Sequence, residues 1–173
     1  MKRPPADAQI FEQMLRPHVI TLYKTAYRLT GNREDAEDLV QDLLVKLYPK
    51  TREMQAVTYL GPWLKKSLYR QFLDGRRKKE RRPEHFVQDV KGEVDSMGAN
   101  HADPEVFAQR AGDRRRLEEA LAAIADESRS LVLMHLVEGW TLAEVAEVSG
   151  LPLQTLKTRL RRAKIRLKKL LQK

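Results

Sequence analysis

The sequence predicts an all-α chain: two small helical domains joined by an extended acidic linker, with a helix-turn-helix in the C-terminal domain. Three observations carry this expectation. Apolar residues recur at three- and four-residue spacing in both halves of the 173 residues, with no alternating strand pattern and no repeat of fixed period. Hydrophobic residues make up 42 % but aromatics only 6 %, and glycine and proline number eight each, a balance that disfavours a β domain and global disorder alike. Periodicity lapses from Pro83 to Pro104, where Gly92, Gly98, Asn100 and scattered acids read as an extended linker. The expected divisions are residues 8–82, 83–105 and 106–173.

Each element has its own local reason. His18 to Leu29 places Val19, Leu22, Tyr23, Ala26 and Tyr27 at helical spacing, and Thr30-Gly31-Asn32 is a turn signal. A second helix runs from about Arg33 to Tyr48 with Ala36, Leu39, Val40, Leu43 and Leu47 on one stripe, stopped by Pro49. Lys50 to Tyr59 reads as a polar loop. Gly61-Pro62 then opens a third helix with Leu60, Leu64, Leu68 and Phe72 on one face. A second helical lobe starts near Val106.

Within that lobe the sharpest signal is Thr141 to Lys164. Thr141 can cap a helix holding Leu142, Val145, Ala146 and Val148, with Glu144 completing a capping box. Gly150 can take positive φ in a short turn, and Pro152 suits the start of the next helix. A small residue, a turn glycine and a large apolar residue at Ala146, Gly150 and Leu156 are what a helix-turn-helix needs. Leu156, Leu160, Ala163, Leu167 and Leu170 give the second helix a long inward face. The opposite face presents Gln154, Thr155, Lys157, Thr158, Arg161 and Arg162, side chains able to reach phosphates and base edges in a major groove.

Charge narrows the function. The net charge is +9, and 18 of the 33 Lys and Arg residues fall in Lys65–Arg82 and Leu153–Lys173. The second of these stretches contains no acid, whereas Glu84 to Glu105 between them carries six acids and one lysine. Solvated helix faces could account for one basic block. Two such blocks point to two contacts with a polyanion. In the third helix and the loop before it, Tyr59, Trp63, Tyr69 and Phe72 lie among cations that include Lys66, Arg70, Arg76 and Arg77, a combination suited to single-stranded DNA, although Trp63 and Phe72 also read as core. Glu34, Asp35, Glu37 and Asp38 crowd the start of the second helix. Acids are stabilised at a helix N-terminus, yet four in five residues exceeds what capping requires and suggests a docking face for a basic partner.

Other classes are disfavoured. With no cysteine, a disulfide framework, a thiolate metal site and a Cys nucleophile are excluded, which fits a reducing compartment. The four histidines, His18, His85, His101 and His135, are dispersed, so neither a metal site nor a Ser-His-Asp arrangement is expected. A metal-dependent nuclease would need further carboxylates converging on the acidic cluster. No cofactor and no enzymatic activity are expected. No apolar run approaches the roughly 20 residues of a membrane span, and Met1–Asp7 leads into no signal core. The expectation is a cytoplasmic chain without a membrane partner.

These residues resemble a known family. Thr30-Gly31-Asn32 with Asp35-Ala36-Glu37-Asp38-Leu39-Val40-Gln41-Asp42 looks like the second conserved region of bacterial sigma factors, continued by Gly61-Pro62-Trp63-Leu64, Asp74 and Arg77. Ala120 to Ile124, Glu138-Gly139, Ala143-Glu144-Val145-Ala146 and Thr155 to Ala163 resemble the fourth region. With no middle domain, the order is similar to the short extracytoplasmic-function group. The resemblance implies that Asp35, Glu37, Asp38 and Gln41 dock on the β′ coiled coil of core RNA polymerase. It implies that Tyr59, Trp63, Lys66, Arg70, Asp74, Arg76 and Arg77 serve recognition and melting of a single-stranded −10 element. It implies that Gln154, Thr155, Lys157, Thr158, Arg161 and Arg162 read a double-stranded −35 element, while the same lobe leans on the β flap and the linker threads the polymerase cleft. Control by an anti-sigma factor is left open. Two positions depart from the family: Arg70 stands where Asn is frequent and Gln154 where Gly is frequent, so promoter sequence is not transferable from relatives. A stand-alone helix-turn-helix regulator, using only the C-terminal lobe, is the competing reading.

Overall fold

The computed structural model describes residues 6–80 and 104–172. The chain divides into two compact units, residues 1–89 and 90–173. Among the described residues every regular element is helical. Most of the expected linker, with His85 and His101, lies outside the described residues.

The N-terminal unit is built on an antiparallel helix pair. Helices α2 (Val19–Thr30) and α3 (Arg33–Leu47) are joined by Gly31 and Asn32. Gly31 adopts φ 80°, a left-handed conformation open to glycine at little cost, and its N–H closes α2 on the Tyr27 carbonyl at 2.8 Å. Asn32 caps α3 by accepting from the Asp35 N–H at 2.8 Å. Leu22, Ala26, Ala36, Val40, Leu43 and Leu47 meet Leu64 and Leu68 of α5 (Leu60–Glu80) in one buried cluster. Removing each leucine from water contributes roughly 1.5–3 kcal/mol.

Two features of this unit differ from the expected elements. Helix α1 (Ala6–Leu15) precedes the first helix read from the sequence. Ten residues are too few to hold a helix alone. Leu15 is buried in the core cluster, Phe11 and Met14 pack on it, and the Phe11 ring meets Tyr48 edge-on with centroids 5.3 Å apart. The expected polar loop from Lys50 to Tyr59 is shorter. A 3₁₀ turn at Tyr48–Lys50 runs into α4 (Thr51–Gln55), leaving Ala56–Tyr59 irregular. Burial of Met54 in the core and the Thr51 hydroxyl donating to the Tyr48 carbonyl at 2.6 Å explain the extra turn.

In the C-terminal unit, α6 (Pro104–Ala122), α7 (Asp126–Val132), α8 (Leu142–Ser149) and α9 (Leu153–Leu171) pack around Leu121, Ile124, Leu131, Leu133, Met134, Val145, Leu156 and Leu160. Residues Leu133–Val137 prolong α7 as a π-helical turn, with the Glu138 N–H reaching back to the Leu133 carbonyl at 2.9 Å. His135 Nδ1–H donates to the Trp140 carbonyl at 2.7 Å and holds the chain as it turns toward α8.

Candidate nucleic-acid and partner interfaces

The helix-turn-helix follows from three local devices. Thr141 Oγ1 accepts from the Glu144 N–H at 3.2 Å, and the Thr141 N–H donates to Glu144 Oε2 at 2.8 Å, a complete capping box. Gly150, at φ 66°, closes α8 by donating to the Ala146 carbonyl at 2.8 Å. Pro152 stands at the N-cap of α9, one position before the helix proper, where a missing N–H costs nothing. Leu156, Leu160, Ala163 and Leu167 then anchor α9 by its buried face, with Leu170 half-buried at the end.

The other face of α9 is open. Gln154, Lys157, Arg161 and Arg162 are exposed, with Thr155 and Thr158 partly so. The Thr158 hydroxyl donates to the Gln154 carbonyl at 3.1 Å, so with its proton engaged its oxygen can meet a base edge only as an acceptor. All six candidate residues for duplex DNA therefore share one surface.

Arg159 is not among them. Its guanidinium is paired with the Glu127 carboxylate of α7, 32 residues earlier in the chain. Beside it, Arg129 is a buried cation, its side chain 7 % exposed. It donates to the carbonyls of Leu121 at 2.8 Å, Ala122 at 3.0 Å and Ile124 at 3.3 Å, and lies 3.3 Å from Asp126. Carbonyls at a helix C-terminus have no partner within the helix, and a cation there also opposes the negative end of the dipole. Arg129 thus terminates α6 from inside the fold. No local motif in the sequence marks Arg129 or Glu127, because their partners are set by packing.

On α5 the aromatic candidates separate. Tyr59 is 76 % exposed just before the helix, and Trp63, one turn on, is partly buried against the core. Tyr69, 1 % exposed, and Phe72 are buried, so neither ring is available to a base. Lys66 and Arg76 are partly exposed, and Arg70, Asp74 and Arg77 exposed, with Arg77 3.6 Å from Asp74. Tyr59 and Trp63 with the α5 cations form the remaining candidate surface for single-stranded DNA.

The acidic cluster at the start of α3 divides similarly. Asp35 accepts from Asn32 Nδ2 at 2.6 Å, and Glu37 pairs with Arg33 at 2.7 Å. Asp38, Gln41 and Asp42 are exposed further along α3. Among the described residues no group of three or more acids or histidines is placed to hold a metal ion, and no helix is long and apolar enough to cross a membrane.

Sigma-70 region 2 matches residues 14–82 and sigma-70 region 4 matches residues 114–167, together well over half of the chain. The extracytoplasmic-function (ECF) RNA polymerase sigma factor SigE of Mycolicibacterium smegmatis is 30 % identical over 164 residues, covering 94 % of this chain and 62 % of that protein. The ECF sigma factor SigL of Mycobacterium tuberculosis is 28 % identical over 156 residues, covering 90 % of this chain and 85 % of that one. Among solved structures, the sigma factor RpoE from Bartonella quintana, crystallised with the anti-sigma factor NepR, superposes with a TM-score of 0.65 at 26 % identity, over 94 % of this chain and 96 % of that one. The chain belongs to the sigma-70 family, and the relatives it resembles are sigma factors of the extracytoplasmic-function group.

Proposed function

We propose that this chain directs core RNA polymerase to promoters for transcription initiation. One observation carries the reading: two sigma regions occur in one chain, and each presents a polar, charged surface that its own core leaves outside. A stand-alone regulator would use only the C-terminal unit and leave the surfaces of α3 and α5 without a role.

Each surface takes a part. The open face of α9, with Gln154, Thr155, Lys157, Thr158, Arg161 and Arg162, enters the major groove at the −35 element. Its cations hold phosphates, while Gln154 and Thr158 meet base edges. Tyr59 and Trp63 offer stacking faces to the opened −10 strand, and Lys66, Arg70, Arg76 and Arg77 follow its backbone. Asp74 restrains Arg77 between encounters. Asp38 and Gln41, with Asp35 and Glu37 at the helix start, dock on the β′ coiled coil, and the C-terminal unit leans on the β flap. The domains are 8–82 and 106–173, with 83–105 as the tether.

The chain performs no chemistry of its own, since phosphodiester synthesis belongs to the core enzyme, and it works in the cytoplasm. The complex of RpoE with NepR supports control by an anti-sigma factor, which would cover these same faces. Run-off transcription with core polymerase on genomic fragments tests the reading. Discrete transcripts that need both chain and core are expected. Specific binding by the chain alone, unchanged by core, would favour the stand-alone regulator.

A further inference from the structure

The acid-free sequence of α9 does not describe the surface that α9 presents. Leu153 to Lys173 contains nine cations and no carboxylate, yet packing brings the Glu127 carboxylate to Arg159. Arg159 lies on the flank of the helix shared with Thr155 and Arg162, one turn before and one turn after it. Thr155 and Arg162 belong to the surface assigned to duplex DNA. An arginine at this position, with a side chain long enough to swing toward that surface, would add a phosphate contact carrying no sequence information. Its exposure is 34 % and that of Glu127 48 %, so the pair sits at the edge of the interface and not in the core.

Resting on the promoter reading above, we propose that Glu127 is a positioning residue that holds the Arg159 guanidinium on α7 and out of the phosphate contacts of the −35 duplex. Its effect is to lower the sequence-independent part of DNA binding. The neighbouring acid works differently: Asp126 lies beside Arg129, whose guanidinium is spent on the carbonyls of α6 and faces the interior. Of these two acids at the start of α7, Glu127 acts on the DNA-facing helix. A surface ion pair of this kind contributes little to folding, so its removal leaves the helix-turn-helix standing.

The test uses holoenzyme reconstituted from the full chain and core polymerase. Its probe is the upstream part of a promoter found by run-off transcription, beside a scrambled duplex of the same composition. Binding is measured as salt is varied from 50 to 200 mM for wild type, Glu127→Gln, Arg159→Gln and the double variant. With Arg159 released, Glu127→Gln should steepen the slope of log K against log salt by about 0.9, which is about a 3.5-fold larger loss over that salt range. The double variant should return to the wild-type slope, and Arg159→Gln alone should leave the slope unchanged. An unaltered slope in Glu127→Gln, a steep slope that survives in the double variant, or a flatter slope in Arg159→Gln overturns the assignment. If wild-type holoenzyme does not prefer the promoter duplex to the scrambled one, the promoter reading itself is overturned, and the role of Glu127 with it.

Discussion

Gln154 and Lys157 lie on the same exposed surface, three residues apart, but differ in what they can offer DNA. An amide can donate to and accept from a base edge, whereas an ammonium is a point charge with no acceptor. Gln154→Ala should therefore cost about 1–3 kcal/mol at particular base pairs of the −35 element only. Lys157→Ala and Arg162→Ala should weaken all −35 sequences together and flatten the salt dependence. Binding to a set of single-base −35 variants separates the two patterns, and equal losses on every sequence would remove Gln154 from the reading set. Arg129 answers to a different force. Arg129→Met keeps much of the packing volume but strips the carbonyls of Leu121, Ala122 and Ile124 of their buried donor. Leaving a buried carbonyl without its donor costs about 1–3 kcal/mol. Urea unfolding of the full chain should show that loss as an earlier transition of the C-terminal unit.

At the scale of elements, the acids of α3 have one observed use, at the start of the helix, and one proposed, in docking. Asp35 and Glu37 are engaged with Asn32 and Arg33 in stabilising the start of the helix, whereas Asp38 is exposed beyond them. Asp38→Ala should weaken the pull-down of core polymerase while leaving the melting temperature within experimental error, because an exposed charge adds little to stability. The triple replacement of Asp35, Glu37 and Asp38 by Ala should weaken core binding further. It should also cost about 1 kcal/mol of stability as the start of α3 loses cap support. Unchanged retention of core by the triple variant would remove α3 from the docking surface. The helix-turn-helix has a comparable local dependence. Thr141→Ala deletes the capping box and should destabilise the unit by about 1 kcal/mol, read by thermal or urea unfolding, with Gly150 and the anchor Leu156 unchanged.

For the whole molecule, the two units should fail separately. Opening a duplex unstacks bases at a cost of a few kcal/mol per step, a sum that several charge-assisted phosphate contacts offset. Arg70 and Arg77 lie on α5, in the unit that does not contain α9. A holoenzyme carrying Arg70→Ala and Arg77→Ala should bind the −35 element normally and open the start-site region poorly. A template already mismatched across the −10 region should restore much of its transcription. Normal permanganate reactivity in this variant, or no rescue by the mismatched template, would remove α5 from strand opening.

Much of this was legible in the chain itself, because it depended on neighbours in sequence. Helical spacing in α2, α3 and α5, the turn at Gly31, the capping box at Thr141 and the stripe of Leu156, Leu160, Ala163 and Leu167 are local patterns, and secondary structure with its inward face follows from them. The polar face of α9 was legible for the same reason, as the complement of that stripe. Helices α1 and α4 were not, since segments of ten and five residues are held by what they pack against. Nor was the sorting of the α5 aromatics. Spacing put Phe72 on the apolar stripe with Leu64 and Leu68, but only tertiary packing buried Tyr69 as well and left Tyr59 outside. The partners of Arg129 and Arg159 were decided last of all. A guanidinium finds its acceptor by distance in space, and Glu127 comes within reach of Arg159, 32 residues away in the chain, only once α7 and α9 have packed together.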